Sequence, residues 1–270
     1  MRYGYCLGAD FVDGSEKNEN SAKLFDYIVK AGYDYIETQL SIVAGFDEAK
    51  YAGFKKLLAD RNIPCRANFL LFPHSMILAG DDFDIDVIKN HAKKVLAVAA
   101  EFGSETVVFG NGGSRAVKEG MDRDKVYAQM VEIIAAVDPI CGEVGVDVVV
   151  EPLNFKETNM INSFTDGVNL VKDAGAKHVG VLCDWYHVRM NDQTADDIIG
   201  NEKYLKHLHI ARPQGRKIPS PDDEISEYAN FAEVIKRVGY NNKISIEAGD
   251  PEITEAKVAG GLALLKKLFD

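Results

Sequence analysis

Several things are scarce in this sequence, and each scarcity removes a class of protein. Cysteine is one: Cys6, Cys65, Cys141 and Cys183 are scattered, with no CxxC pair and no zinc-type spacing. Reduced, buried thiols in a cytoplasmic protein are therefore expected rather than a disulfide framework. No apolar run approaches the ~18 residues that would span a bilayer. The opening MRYGYCLGADF is charged and too poor in apolar residues to act as a signal peptide. Positive charge is in deficit, with 31 Lys and Arg against 42 Asp and Glu, a net charge of −11. With no Lys/Arg cluster to offset that field, neither nucleic acid nor a membrane surface is an expected partner. Nor does a low-complexity linker or a shift in composition divide the 270 residues, so a single domain over 1–270 is expected.

What the chain does contain is alternation. Short β-rich runs occur at Tyr3–Gly8, Tyr35–Thr38, Cys65–Phe69, Thr106–Phe109, Val146–Glu151, Val179–Asp184, Leu205–Ile210 and Ile244–Glu247. Between them lie segments with apolar residues three and four apart, the spacing of an amphipathic helix. Asp82–Phe102 carries Ile85, Ile88, Val95, Leu96 and Ala99, and Asp122–Val144 carries Val126, Met130, Ile133, Ile134 and Val137. Glu252–Phe269 carries Ala256, Ala259, Leu262, Leu265 and Leu268. Strands alternating with helices imply parallel pairing through right-handed crossovers. Eight such units in this length predict an α/β fold of the (β/α)8 TIM-barrel class, which needs about 250 residues. An open doubly wound sheet would be signalled by GxGxxG after the first strand, where GADFVDG stands instead. The GNGG run at 110–113 follows the fourth strand and lacks the Lys-Ser/Thr of a phosphate loop, so it reads as a Gly-rich βα loop.

In such a barrel, chemistry belongs at the C-terminal strand ends. The last four runs carry Glu151, Asp184, His209 and Glu247 at their C-terminal ends, His209 one residue short of the final Ile210. Side chains two apart share a face, so Val149 goes with Glu151, Leu182 with Asp184, His207 with His209 and Ser245 with Glu247. If these faces point inward, three carboxylates and an imidazole converge, which in a low dielectric requires a cation. The later histidine of the HLH pair lies nearer the barrel mouth, so His209 rather than His207 is the expected ligand. A hard, oxygen-rich set suits Mn²⁺, with Mg²⁺, Co²⁺ or Zn²⁺ as alternatives. His74, His91 and His178 lack partner motifs and read as structural.

At these residues the sequence resembles the sugar isomerase/epimerase superfamily with the xylose-isomerase-like barrel, which includes ketose 3-epimerases, hydroxypyruvate isomerase and endonuclease IV. The resemblance rests on EPLN at 151–154, DWYH at 184–187, HLHIA at 207–211 and SIEAGD at 245–250. It implies Glu151 and Glu247 as metal ligands that also exchange protons with substrate, and Asp184 and His209 as ligands alone. It also implies His187, Glu157 and Arg216 as substrate-binding residues. Phe155 stands where the epimerases' NRFE segment has its Arg, and Arg216 in PQGRK is spaced as much like the hydroxypyruvate isomerases as like the epimerases.

The implied activity is a divalent-metal-dependent isomerase or epimerase of a ketose or related hydroxycarbonyl compound, working by proton transfer through an enediolate. A hydroxypyruvate isomerase-like enzyme or a metal-dependent dehydratase is the alternative. Endonuclease IV needs extra histidines, and RANFLL, VVFGNGG and PSPDDE contain none. A homo-oligomer, dimer or tetramer, is compatible with exposed barrel helices. Asp10, Glu37, Asn68, Asn111 and Arg115 follow the early strands without an assignable role. For Arg115, a phosphate, a carboxylate or a helix carbonyl are all open partners.

Overall fold

The computed structural model describes residues 1–12 and 19–270. Among them, eight parallel strands close in sequence order into a barrel. They are β1 (Arg2–Leu7), β2 (Tyr35–Gln39), β3 (Cys65–Phe69), β4 (Thr106–Phe109), β5 (Asp147–Val150), β6 (Val179–Asp184), β7 (Leu205–Ile210) and β8 (Lys243–Ile246). The outer helices are α1 (Glu19–Ala31), α2 (Leu40–Val43), α3 (Glu48–Asp60), α4 (Ile85–Glu101), α5 (Gly112–Arg115), α6 (Arg123–Val144), α7 (Phe164–Asp173), α8 (Trp185–Met190), α9 (Ala229–Arg237) and α10 (Glu255–Phe269). No helix of the described residues is long and apolar enough to cross a membrane.

Period two decides which side of each strand meets which partner. On β5, Val148 and Val150 face outward into the large core shared with the helices. Val149 faces inward and packs with Val108 and Leu182, with Phe69 at its margin. Those three inner residues are at most 1% exposed, and burying each contributes roughly 1.5–3 kcal/mol. They also form the apolar floor beneath the strand ends. All four cysteines are buried and unbridged.

Helix starts lie a few residues inside the periodic segments because short polar side chains cap them. Asp84 accepts from the N–H groups of Asp86 and Val87 at the start of α4. Asp122 accepts from Asp124 and Lys125 at the start of α6, and Thr254 from Lys257 at the start of α10. The α10 stripe differs from the sequence expectation. Its buried face is Val258, Leu262, Leu264, Leu265 and Leu268, whereas Ala256 and Ala259 are exposed. A single methyl has little to gain from burial, so the branched side chains set the rotation of the helix.

The opposite end of the barrel is tied by charge. Glu105, just before β4, accepts from Arg2 at 2.8 and 2.9 Å, Arg66 at 2.9 Å and Lys243 at 2.7 Å, joining the starts of β1, β3 and β8. Burial would raise the Glu105 carboxyl, but Arg2 and Lys243 hold it at about 2. A carboxyl lowered on folding stabilises the protein above its unfolded value near 4.5, and that stability is lost as pH falls toward 2. Glu105→Gln is therefore expected to destabilise the barrel at neutral pH by about 2 kcal/mol. That is less than the loss of a fully buried pair because the Glu105 side chain is 34% exposed. Denaturant titrations of both proteins should show this gap closing between pH 4.5 and 2; a gap independent of pH would contradict it.

Candidate active site

Four elements deliver the expected groups to one place. Asp184 ends β6 and His209 lies in β7, whereas Glu151 and Glu247 sit one residue beyond β5 and β8. The last two still occupy the ladder: Glu151 N–H donates to the Phe109 carbonyl and Glu247 N–H to the Ile210 carbonyl, both at 3.1 Å. One ligand atom from each of Glu151, Asp184, His209 and Glu247 lies within 4.8 Å of the others. His209 Nδ1 is 3.5 Å from Glu151 Oε1 and 3.3 Å from Glu247 Oε2. Asp184 acts in two ways at once. Its Oδ1 accepts from Tyr186 N–H at 2.8 Å and caps α8, while Oδ2 turns into the site.

His187 enters from α8 and is 2% exposed. Its Nδ1 faces two donors from Asn154, the backbone N–H at 3.2 Å and the side-chain amide at 2.8 Å. Two donors on Nδ1 require it to accept, which places the ring proton on Nε2. That nitrogen is 3.5 Å from Asp184 Oδ2 and 3.9 Å from Glu151 Oε1. Glu157 lies in the loop after β5, is held by the Asn154 amide at 2.9 Å, and stands 3.7 Å from Arg216. Arg216 donates to Glu247 Oε2 at 2.5 Å, lies 3.7 Å from Asp184 and covers the Tyr186 ring at 4.8 Å. It does so from a left-handed backbone, φ +50°, a conformation costly for a residue with a Cβ. Glu151, Glu157, His187, Arg216 and Glu247 border a cavity of about 210 Å³ that also meets Gln39, His74 and Asn111. That volume is below the range of about 300–1,000 Å³ usual for drug-sized ligands and suits a small one.

Crowding acids in this way has an electrostatic consequence. Burial and the Glu247 charge push the Glu151 carboxyl above its ordinary range, and burial does the same to Asp184 despite His187 and Arg216. For Glu247, burial is outweighed by Arg216 and His209, which hold it at about 2. Burial lowers His187. His209 resists burial and is raised well above the ordinary imidazole range, chiefly by Glu37. Glu151 Oε1, Asp184 Oδ2, His187 Nε2 and His209 Nδ1 are buried without a hydrogen-bond partner. Such atoms are expensive to bury unpaired. Two carboxylate oxygens and an imidazole nitrogen, joined by Glu247, are a donor set that a hard divalent cation satisfies.

Several residues gain roles that the sequence left open. Arg115 is buried and points away from the cavity, donating to the Phe109 carbonyl at 3.2 Å and the Glu151 carbonyl at 2.6 Å. It ties two strand ends rather than holding an anion or a helix carbonyl. Asn111 donates to the Phe72 carbonyl at 2.6 Å, and Asn68 to the Thr38 carbonyl at 3.2 Å. His207 bonds Glu37 at 2.8 Å and lies outside the four-residue group. His91 reaches the Leu71 carbonyl at 3.0 Å. Asn154 was visible within EPLN, but its grip on His187 spans 33 positions, and no local pattern encodes that.

The site can be set beside known proteins. A D-psicose 3-epimerase from Agrobacterium fabrum is 25% identical over 213 residues, covering 75% of this chain and 72% of that protein. An L-ribulose 3-epimerase from a Methylomonas species is 23% identical over 249 residues, covering 89% and 82%. Among solved structures, D-psicose 3-epimerase with D-tagatose from Clostridium cellulolyticum H10 superposes with a TM-score of 0.81, covering 100% of both chains at 16% identity. At that identity the superposition speaks for the fold alone. Residues 25–268 match the family described as the xylose isomerase-like TIM barrel, and the chain belongs to that family.

Proposed function

We propose that this protein is a divalent-metal-dependent sugar isomerase or epimerase acting on a ketose or a related hydroxycarbonyl compound. One observation carries the reading: the unpartnered buried atoms of Glu151, Asp184, His187 and His209 converge, and Glu151 and His187 open onto a small cavity. The 3-epimerases similar to this chain point to the same chemistry. In this reading Glu151, Asp184, His209 and Glu247 hold the ion, with Mn²⁺ the first choice from the donor set. When bound, the ion supplies Lewis acidity that polarises a ketone and acidifies the neighbouring C–H.

The protein's own groups do the rest. One of the two glutamates, Glu151 or Glu247, removes the α-proton and the other returns one. Return to the opposite face inverts the centre, and return to the adjacent carbon interconverts ketose and aldose. His187 directs its Nε2–H at the substrate oxygen beside Asp184 and Glu151, with Asn154 keeping that tautomer in place. Glu157 and Arg216 bind hydroxyls further out. The cavity lining sets Glu151, Glu157 and Glu247 against Arg216, which is already paired. Apart from the ion, a phosphate dianion would find no unpaired Lys or Arg in that lining, so an unphosphorylated substrate is favoured. Incubating a panel of free ketoses and their phosphates with Mn²⁺ and following products by NMR in D₂O tests this. The expected result is deuterium at the α-carbon of a free ketose; a panel with no exchange would sink the reading.

Gly110 provides a check on Glu151. A Cβ there would come within 2.5 Å of Glu151 Oε2, so the carboxylate must move while the barrel need not. Gly110→Ala is expected to lower turnover tenfold or more, with an unfolding midpoint within about 3 °C of wild type. Unchanged turnover would show that Glu151 has another workable position.

A further inference from the structure

Beneath the cavity floor the barrel holds a second polar layer centred on Glu37 of β2. Its side chain is 0% exposed, and both carboxylate oxygens are engaged. Oε1 accepts from His209 Nε2 at 3.0 Å, and Oε2 accepts from His207 Nε2 at 2.8 Å and from the Ser245 hydroxyl at 2.6 Å. The Tyr35 hydroxyl lies 2.9 Å from the same Ser245 oxygen. The layer ties β2 to β7 and β8 across the barrel interior.

His209 therefore stands between two groups, either of which could hold a cation. Its Nδ1 faces Glu151 and Glu247, and its Nε2 faces Glu37 and Cys6. The ligand atoms of Cys6, Glu37 and His209 also lie within 4.8 Å of one another. Hydrogen bonding separates the two. An ionised carboxylate only accepts, so the short contact from Nε2 to Glu37 keeps a proton on Nε2. Nδ1, which has no hydrogen-bond partner, is then the nitrogen that can present a lone pair. A cation held by Cys6, Glu37 and His209 would need Nε2 as its ligand and would break the 3.0 Å hydrogen bond from Nε2 to Glu37.

We propose that Glu37 is a positioning residue that holds the His209 proton on Nε2, so that Nδ1 is aimed at the carboxylates as a metal ligand. The inference rests on the metal-centre reading above and adds the residue that prepares it. Partners of this kind, one step behind a metal-binding imidazole, fix its orientation and tautomer, and their loss lowers metal affinity by about 10–100-fold. Glu37→Gln keeps the shape but gives one end of the group an N–H₂. If that end faces His209, Nε2 must accept and the proton moves to Nδ1. If it faces His207 and Ser245, those donors must rearrange in a space with no water to help.

The test uses the full-length protein with Mn²⁺ by calorimetry and with Zn²⁺, a diamagnetic ion, by histidine-ring NMR. Glu37→Gln is expected to bind Mn²⁺ about 10–100-fold more weakly than wild type while keeping the wild-type circular dichroism spectrum. In Zn²⁺-loaded wild type, the His209 proton is expected on Nε2 and protected from exchange. Equal Mn²⁺ affinity in a folded Glu37→Gln protein would overturn the proposal. So would a His209 proton on Nδ1, which would put the ion beside Cys6 and Glu37. The NMR arm needs no variant, so it decides the matter even if Glu37→Gln does not fold. Wild type that binds neither ion would instead overturn the metal-centre reading itself.

Discussion

Glu247→Gln is expected to take up a divalent ion and yet lose exchange of solvent deuterium into the substrate, with turnover reduced by about three orders of magnitude. The amide retains an oxygen where the carboxylate oxygen was, so ligation and the Arg216 contact, 2.5 Å in the native protein, can both persist in part. What it lacks is a site that accepts a proton. Positioned acid–base groups contribute typically 10²–10⁴-fold, and a thousandfold loss corresponds to about 4 kcal/mol of transition-state stabilisation. Calorimetry with Mn²⁺ separates loss of the ion from loss of the base, and NMR in D₂O reads the exchange. Exchange at the wild-type rate would remove Glu247 from the chemistry and leave it a ligand alone.

Chelating the ion from wild type is expected to abolish turnover reversibly and to lower the melting temperature by about 10 °C. An ion present at about a thousand times its dissociation constant stabilises the folded state by about 4 kcal/mol, and each kcal/mol shifts a protein of this size by roughly 2–4 °C. The size of the effect follows from the site. Burial and the neighbouring acids already hold Glu151 and Asp184 above the ordinary carboxylate range, and Arg216 is the cation that partly offsets their charge. Asp184→Asn sharpens the test, because Asn is as good a helix N-cap as Asp and should preserve the start of α8. Its melting temperature should respond to Mn²⁺ and to chelator less than that of wild type, because a neutral amide oxygen is a weaker ligand for a hard cation than a carboxylate. Thermal scans of both proteins with and without the ion check this. A wild-type midpoint indifferent to the ion would count against a metal centre.

Much of the barrel is legible from local pattern. The runs at Cys65–Phe69, Thr106–Phe109, Val179–Asp184 and Leu205–Ile210 coincide with β3, β4, β6 and β7. TVVF and VGVLCD are the near-continuous apolar stretches of strands buried on both faces, whereas CRANF and LKHLHI carry polar residues between the apolar ones. Boundaries drift by a residue at β1, β2, β5 and β8; after β5 and β8, Glu151 and Glu247 lie outside the strand yet each keeps one backbone hydrogen bond. Period two correctly places Val149 and Leu182 inside, since the face of a strand residue depends on parity and nothing further away. The same parity brings Glu151, Asp184, His209 and Glu247 to one end. Helix rotation is less secure. Ala256 and Ala259 fit the spacing of α10 yet lie exposed, because periodicity counts apolar residues without weighing how much surface each can bury.

By itself, then, the sequence determined the eight alternating units, the parity of each strand and hence the convergence of four ligand-type side chains. These follow from spacing along the chain. Only the tertiary structure decided that Arg115 grips strand-end carbonyls, that Asn154 sets the proton on His187 and that Glu37 lies behind His209. The His209–Glu37 contact spans 172 positions and the His187–Asn154 contact 33. Contacts of that kind arise from barrel closure, which brings β2 across the interior to β7, and no local spacing carries a record of which side chains then meet.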